Sequence, residues 1–385
     1  MSVWDDLVGQ EPVVGTLQAA VEAAQDRLDG GTGKGMTHAW LFTGPPGSGR
    51  SNAARAFAAA LQSDDKGETD SNATRTALSG AHPDVTLVST EGLSIGVKEI
   101  RQHVRTAAMH PTSGRWQILI IEDADRLSEE AADALLKTLE EPPPRTVWML
   151  CAPTAEDVVV TIRSRSRQVV LRTPRAPAIA QMLHERDDVP EDLAMFAARA
   201  SQGHVGRARA IATNDAVRER RIKVLRIPVS LSTLGECMKA AADVNQFAED
   251  HAAEVAAHLD ARELADLRMA WGVEERGKRP VGYQGNLSAM EREQKSRRKR
   301  IARDSVDGVL IDLMSLYRDV LATLTAPEAE LVNVEAAADV ATLAQSTAAE
   351  ATLTRIEAIL ACREALTANA APLLALERLM LALRT

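Results

Sequence analysis

One stretch in the first third of the chain has the residue types and spacing that cradle a phosphate. It reads Gly44-Pro45-Pro46-Gly47-Ser48-Gly49-Arg50-Ser51, and it sits between an apolar run at 39–43 and an alanine-rich stretch at 50–62. That is the strand–loop–helix setting the GxxxxG-K-[ST] frame requires. Glycines let successive N–H groups converge on one anion, and the helix N-terminus adds positive potential. A hydroxyl at Ser51 suits a Mg²⁺ shell. The lysine position, however, holds Arg50. Lysine is a compact point charge that reaches the terminal phosphates; arginine is a wide planar fork. The frame reads either as a nucleotide site or as a vestigial loop that keeps the turn.

A second stretch supplies acids. Ile120-Ile121-Glu122-Asp123-Ala124-Asp125 ends an apolar run on carboxylates. A phosphate-loop ATPase places its Mg²⁺-associated Asp there, followed by the Glu that activates water. Here the order is inverted. Asp123 is one methylene shorter than a catalytic Glu, and a base misplaced by about 1 Å costs large factors in rate. The pair reads either as Mg²⁺-associated acids or as solvated acids at a strand end.

These residues need a scaffold, and its pattern is visible. Apolar runs at 39–43, 85–89, 116–121, 147–151 and 168–171 read as strands. They lack polar alternation, as expected of a parallel sheet covered on both faces. Helical patterns fall between and before them, at 12–28, 50–62, 97–109 and 129–140. The alternation predicts a doubly wound α/β domain over 1–173. Beyond it, Ala and Leu recur at helical spacing to the C-terminus. That predicts a small helical domain at 174–230 and an all-α domain at 231–385. Stretches 29–35, 63–76 and 271–287 read as loops from their Gly, polar and charged content. The tryptophans Trp4, Trp40, Trp116, Trp148 and Trp271 read as packing residues.

Composition narrows the function classes. The chain has 385 residues, 45% hydrophobic and 26% charged, which excludes a wholly disordered chain or a collagen. No apolar run approaches the roughly 20 residues that span a bilayer. The acidic start Met1-Ser2-Val3-Trp4-Asp5-Asp6 lacks a signal pattern. Cys151, Cys237 and Cys362 are too few and too scattered for a disulfide framework or a CxxC zinc site, so a reduced, cytoplasmic setting is expected. The net charge of −9 argues against autonomous DNA binding by the chain as a whole. One local exception is the basic run Arg292, Lys295, Arg297, Arg298, Lys299, Arg300 and Arg303. It reads as a solvated helix face balanced by Glu291, Glu293 and Asp304, or as a contact to DNA or a partner. It has no interleaved aromatic, which argues against single-strand stacking.

Four motifs together resemble one family. They are Gly44–Ser51, Glu122–Asp125, the ten-residue run Ala134-Leu135-Leu136-Lys137-Thr138-Leu139-Glu140-Glu141-Pro142-Pro143, and Thr161-Ile162-Arg163-Ser164-Arg165-Ser166-Arg167. This set resembles the AAA+ clamp loaders, most closely the delta-prime branch of bacterial DNA polymerase III, actinobacterial type. The resemblance implies an AAA+ α/β domain, a helical lid and a helical collar that joins a pentameric loader. It implies gamma/tau and delta subunits as partners, with the sliding β clamp and primed DNA reached through the complex. ATP and Mg²⁺ would be bound by partner subunits. Arg165 would act in trans as an arginine finger on a neighbour's ATP, with the family's Ser-Arg-Cys written here as Ser164-Arg165-Ser166.

Departures from the family favour a subunit that does not hydrolyse ATP over a gamma-type ATPase. Gly44, Gly47, Gly49, Arg50, Ser51, Glu122 and Asp123 would form a degenerate nucleotide site. Ala152 stands where a polar sensor follows the fourth strand. In Gly203-His204-Val205-Gly206-Arg207, the sensor arginine position falls on Gly206, one residue before Arg207. A one-residue shift turns a helical side chain by about 100°. Delta-prime proteins commonly carry a four-cysteine zinc module, but the matching stretch 63–76 has no Cys, so zinc is expected to be absent. His82, before Pro83, reads as a turn residue.

Overall fold

The computed structural model describes residues 2–89, 94–112, 114–270, 283–326 and 328–384. The chain divides into two compact units, Met1–Thr213 and Asn214–Thr385.

In the first unit the elements run α1 (Glu11–Leu28), β1 (Ala39–Thr43), α2 (Arg50–Gln62), α3 (Asn72–Leu78), β2 (Val85–Val88), α4 (Val97–Ala107), β3 (Gln117–Ile121), α5 (Glu129–Glu140), β4 (Thr146–Ala152), α6 (Val160–Arg163), β5 (Arg167–Val170), α7 (Ala176–Asp187), α8 (Glu191–Ala200) and α9 (Val205–Thr213). The five strands form one parallel sheet in the order β2-β3-β4-β1-β5. Every residue of β1, β3 and β4 is buried, which is why their sequences run apolar without alternation. Successive side chains still point to opposite faces. Trp40, Phe42, Ile118, Ile120 and Met149 join one core with α1 and α2. Leu41, Leu119, Ile121, Trp148 and Leu150 join another with α4 and α5. This is the α/β class expected from the sequence, a parallel sheet with flanking helices, with further helical elements following the sheet.

The stretch expected as a loop at 63–76 is only half loop. Asp65 gathers its first part, accepting from the Ser63 and Thr69 hydroxyls and from the Gly67 N–H at 3.1 Å. Those donors hold its carboxyl below the ordinary range. Ser71 and Thr74 then form a reciprocal capping box that starts α3. His82 makes the turn before β2, its Nδ1 accepting from the Asp84 N–H at 3.1 Å. Trp4, Trp40, Trp116 and Trp148 are buried. Trp271 and the rest of 271–282 lie outside the described residues.

The second unit contains α10 (Asp215–Arg226), α11 (Leu234–Ala270), α12 (Tyr283–Thr325), α13 (Ala337–Ser346), α14 (Ala349–Thr367) and α15 (Pro372–Leu383). Residues 283–287, expected in a loop, open α12 instead. The main core joins Cys237, Ala241, Val244 and Ala248 of α11 to Val306, Leu310, Leu313 and Tyr317 of α12, closed by α14 and α15. The unit begins at Asn214, whereas the sequence pattern places a boundary at 230. α10 joins this unit through Val224 and Leu225, which enter its cores, and through a buried charge. Arg221 of α10 is 3% exposed; it pairs with Asp312 at 2.9 Å and also with Glu335 and Asn333. Pulling α10 away would strand that guanidinium without its acids, a cost of about 3–5 kcal/mol.

Among the described residues no helix is long and apolar enough to cross a membrane.

Candidate functional site

In a parallel sheet the strand ends share one edge, and ligands bind in the crevice outside the carboxyl ends. Here Thr43 of β1 pairs beside Ala152 of β4, and Ile121 of β3 beside Leu150. The loop 44–51 and the acids 122–125 therefore emerge on the same edge. The Gly44 N–H donates to the Pro153 carbonyl at 3.0 Å, tying the loop to the end of β4. Gln10 ties it from below: its Nε2 donates to the Arg172 carbonyl at 2.6 Å and to the Ser48 carbonyl at 3.5 Å.

The loop keeps the shape the sequence implies. Gly47 has φ +82°, a left-handed conformation that L side chains rarely adopt. At Gly44 a Cβ would lie 2.7 Å from both the Leu171 carbonyl oxygen and Ser48 Oγ. Gly49 precedes α2 as its N-cap residue, and Arg50 is the first helical residue. The buried Ser48 Oγ and Arg50 Nη1 have no hydrogen-bond partner among the described residues.

Two side chains alter this edge, and sequence reasoning assigned a role to neither. The first is Arg55. It stands one turn beyond Ser51 on α2 and so shares its face. Its Nη2 meets Glu122 Oε1 at 2.9 Å, with the side chains 30% and 19% exposed. Glu122 is thus engaged by a cation of its own chain. The four-residue spacing from Ser51 was the available signal. The second is His204. A Cβ on Gly47 would lie 2.6 Å from the His204 ring, so the imidazole rests on the turn that would face a phosphate. Its Nδ1 accepts from the Arg207 N–H at 3.2 Å, which requires that nitrogen to be unprotonated. Burial, and then the charge of Arg207, hold its pKa below the ordinary histidine value. Arg207 itself sits in the first turn of α9.

Asp123 is partly buried at the strand end, and Asp125 follows in a short turn. Burial raises the Asp125 carboxyl above the ordinary range; Asp123 adds to the rise, while Arg126 and Arg50 oppose it. Cys151, at the end of β4, is pushed up to about 12 by burial, reinforced by Glu122 and opposed by Arg50. It is an inert buried thiol. Ala152 is fully buried and offers no polar group. The structure thus places Gly44, Gly47, Gly49, Arg50, Ser51, Glu122 and Asp123 on one edge, with Glu122 paired to Arg55 and the turn at Gly47 approached by His204. Among the described residues no group of three or more His, Cys, Asp or Glu could hold a metal ion.

Arg165 belongs to a different place. It follows α6, and its Nη2 meets Glu140 Oε1, the last residue of α5, at 2.6 Å. Its Nη1 donates to the Thr161 carbonyl at 3.0 Å. The Arg165 side chain is 37% exposed and that of Glu140 51%. The two flanking arginines are tied to other parts of the unit. Arg163 donates to the Ala155 carbonyl at 3.3 Å and lies 3.8 Å from Glu156. Arg167 donates to the Gly35 carbonyl at 2.8 Å and lies over the Trp40 ring. In α5, Leu135 and Leu139 are buried while Lys137 and Glu140 are exposed, as is Glu141 just beyond the helix.

Residues 22–175 match the family model described as DNA polymerase III, delta subunit. The DNA polymerase III subunit delta' of Bacillus subtilis is 30% identical over 195 residues, 50% of this chain and 59% of that one. The subunit tau of the same organism is also 30% identical, over 192 residues, 49% of this chain and 32% of that one. The subunit delta' of Escherichia coli is 34% identical over 138 residues, 35% of this chain and 41% of that one. The chain therefore spans between 32% and 59% of the length of these curated relatives. By sequence, residues 22–175 are thus similar to subunits of bacterial DNA polymerase III. Among solved structures, a gamma subunit-related protein of Thermotoga maritima aligns with a TM-score of 0.35 and 17% identity, over 76% of this chain and 98% of that one.

Proposed function

We propose that this chain belongs to the clamp-loader family and acts as a delta-prime subunit. It would assemble with gamma/tau and delta subunits into a hetero-oligomer, in the cytoplasm, that loads the sliding β clamp onto primed DNA. Delta' and tau relatives match at the same identity, so the distinction rests on the site. Arg50 replaces the phosphate lysine, Arg55 occupies Glu122, Ala152 supplies no sensor, and His204 lies on Gly47. Together they support a subunit that does not turn over ATP at its own loop. In this reading the chain needs no cofactor of its own, ATP and Mg²⁺ are held by partner subunits, and no zinc is bound.

The observation that carries a role in trans is the Arg165–Glu140 pair. Arg167 is held by the Gly35 carbonyl and lies over the Trp40 ring, and Arg163 is the more enclosed of the flanking pair at 29% exposed, whereas Arg165 is 37% exposed and its contacts are the nearby Thr161 carbonyl and the exposed Glu140 at a helix end. An exposed pair is worth only about 0–1 kcal/mol. A γ-phosphate presented by a neighbour can therefore take the guanidinium from Glu140 cheaply. Arginine suits this role because it is always charged, and its fork grips two oxygens as charge redistributes in the transition state.

The experiment is reconstitution with gamma/tau and delta. Arg165→Ala should leave assembly intact and lower DNA-stimulated ATP hydrolysis and clamp loading at least several-fold. The effect at the single site served should approach the roughly 10³–10⁵ of trans arginines in GTPases. Arg163→Ala and Arg167→Ala should do less. An Arg165→Ala loader with undiminished hydrolysis and loading would remove the finger assignment.

A further inference from the structure

The basic run on α12 is divided by its own helix. Arg297 Nη2 meets Glu263 Oε2 at 2.6 Å, and Arg298 Nη2 meets Asp260 Oδ2 at 2.6 Å, both acids lying on α11. The neighbouring Gln294 donates to the Asp260 carbonyl at 3.2 Å and to Glu263 at 3.1 Å. One side of α12 is therefore bound to α11 by polar pairs. At about 100° per residue, Arg292, Lys295, Lys299 and Arg300 fall on the other side, within an arc of about 140° and over about 12 Å of axis. All four are exposed. Arg292 Nε donates to the Ser288 carbonyl at 3.1 Å, within its own helix. Among the described residues no carboxylate pairs with Lys295, Lys299 or Arg300. Glu291, four residues before Lys295, forms no ion pair with it.

We propose that this outward ridge of α12 binds the phosphate backbone of duplex DNA. Charge complementarity chooses the occupant. Four unneutralised cations over about 12 Å match the spacing of a polyanion whose strands each carry a charge every 3.4 Å or so. The ridge bears no aromatic, so it offers single strands no stacking platform. Ser288 just before it and Ser296 within it are polar, so it lacks the apolar face with which a helix enters a lipid surface. Phosphate contacts of this kind position a duplex without reading its sequence. The ridge would make the second unit a DNA contact in a chain whose total charge is negative. It requires no loader assembly, so it stands or falls separately from the proposed function.

The test uses the full chain alone and a labelled duplex of about 20 base pairs, with anisotropy followed from about 50 to 200 mM NaCl. Arg292→Gln, Lys295→Gln, Lys299→Gln and Arg300→Gln are combined in one variant, Gln being a good helix former. The wild-type chain should bind with an affinity that falls with salt. The variant should bind at least about tenfold more weakly at the lowest salt, and its log–log salt slope should be shallower by about 2–4, at about 0.9 per lost contact. Circular dichroism checks that helix content is unchanged. A second variant, Arg292→Lys with Arg300→Lys, should retain binding, because a backbone contact needs charge rather than a fork. Equal affinity and slope in wild type and the Gln variant would overturn the proposal. So would absence of wild-type binding at the lowest salt, or loss of binding only to polyglutamate or phosphatidylglycerol vesicles with duplex binding untouched.

Discussion

The phosphate edge of the first unit and the α11–α12 pair of the second are both rich in arginine, and they use it in opposite ways. At the edge, charge is consumed locally: Arg55 takes Glu122, and the ring of His204 covers the turn at Gly47. On α12, the helical period sorts the cations, pairing Arg297 and Arg298 with α11 and leaving Arg292, Lys295, Lys299 and Arg300 outside. A count of basic residues gives the same impression of both places. Which cation has an acid within reach decides what each can bind.

The largest effect expected from this contrast concerns hydrolysis. If the edge is closed as described, the isolated chain turns over ATP more slowly than about 0.1 s⁻¹, at least tenfold below the usual range of enzymes. Arg50→Lys alone will not restore it, because Glu122 is still held and Ala152 still lacks a polar group. Steady turnover above that rate, surviving a control for contaminating ATPases, would erase the contrast.

Next in size is Asp260→Ala. Asp260 is 7% exposed and serves both Arg297 and Arg298. Its removal takes one acid from Arg297, which is 16% exposed and also pairs with Glu263. Truncating one side of a buried pair costs about 3–5 kcal/mol; with Arg298 half exposed, about 2 kcal/mol is expected, read as a lower denaturant midpoint. The same variant releases cations, so its affinity for duplex DNA should rise while its stability falls. A drop in both would mean that the outward ridge is not the binding face.

A smaller effect is expected at His204. His204→Ala uncovers Gly47 and leaves Arg50 and Ser51 in place. Binding of a fluorescent ATP analogue should tighten severalfold, with hydrolysis still undetectable. Unchanged binding would show that Arg50, rather than the ring, sets nucleotide affinity.

Much of this architecture was legible in the sequence. Apolar runs gave the strands to within a residue or two, most clearly β1, β3 and β4, where a sheet covered on both faces leaves nothing polar to confuse the period. The loop and the acids were found because their chemistry fixes residue type and spacing together. Other features were not legible. His204 reaches Gly47 from far along the chain, and no local pattern records that approach. Arg55 was visible only as one arginine on an alanine-rich helix. The acids that divide the basic run lie on α11, a whole helix earlier, whereas sequence reasoning looked for them beside the run. The boundary at Asn214 depends in part on Arg221 finding Asp312 and Glu335, again a long-range pairing.

The smallest expected effect tests whether the inner side of α12 is held by charge at all. Glu263 accepts from both Arg297 Nη1 and Nη2, at 2.9 and 2.6 Å. Hydrogen bonding from Arg297 holds its carboxyl below the ordinary range, with burial opposing and Gln294 assisting. A depressed folded-state pKa fixes the sign. The pair contributes stability that is fully present above the ordinary glutamate value of about 4.3 and is lost as pH falls through the depressed one. As the pH falls below about 4.3, the amides of α11 and α12 around Asp260 and Arg297 should therefore lose exchange protection. Glu263→Gln keeps the shape and removes the titration. Its protection above that pH should be slightly lower than that of the wild type, and its further loss on acidification smaller. Residues of the outward ridge share the backbone but not the pair, so the Gln variant of the ridge should keep the wild-type pH dependence. If Glu263→Gln acidifies like the wild type, charge is not what binds α12 to α11, and the apolar core that joins Ala241, Val244 and Ala248 to Val306, Leu310 and Leu313 holds the two helices together.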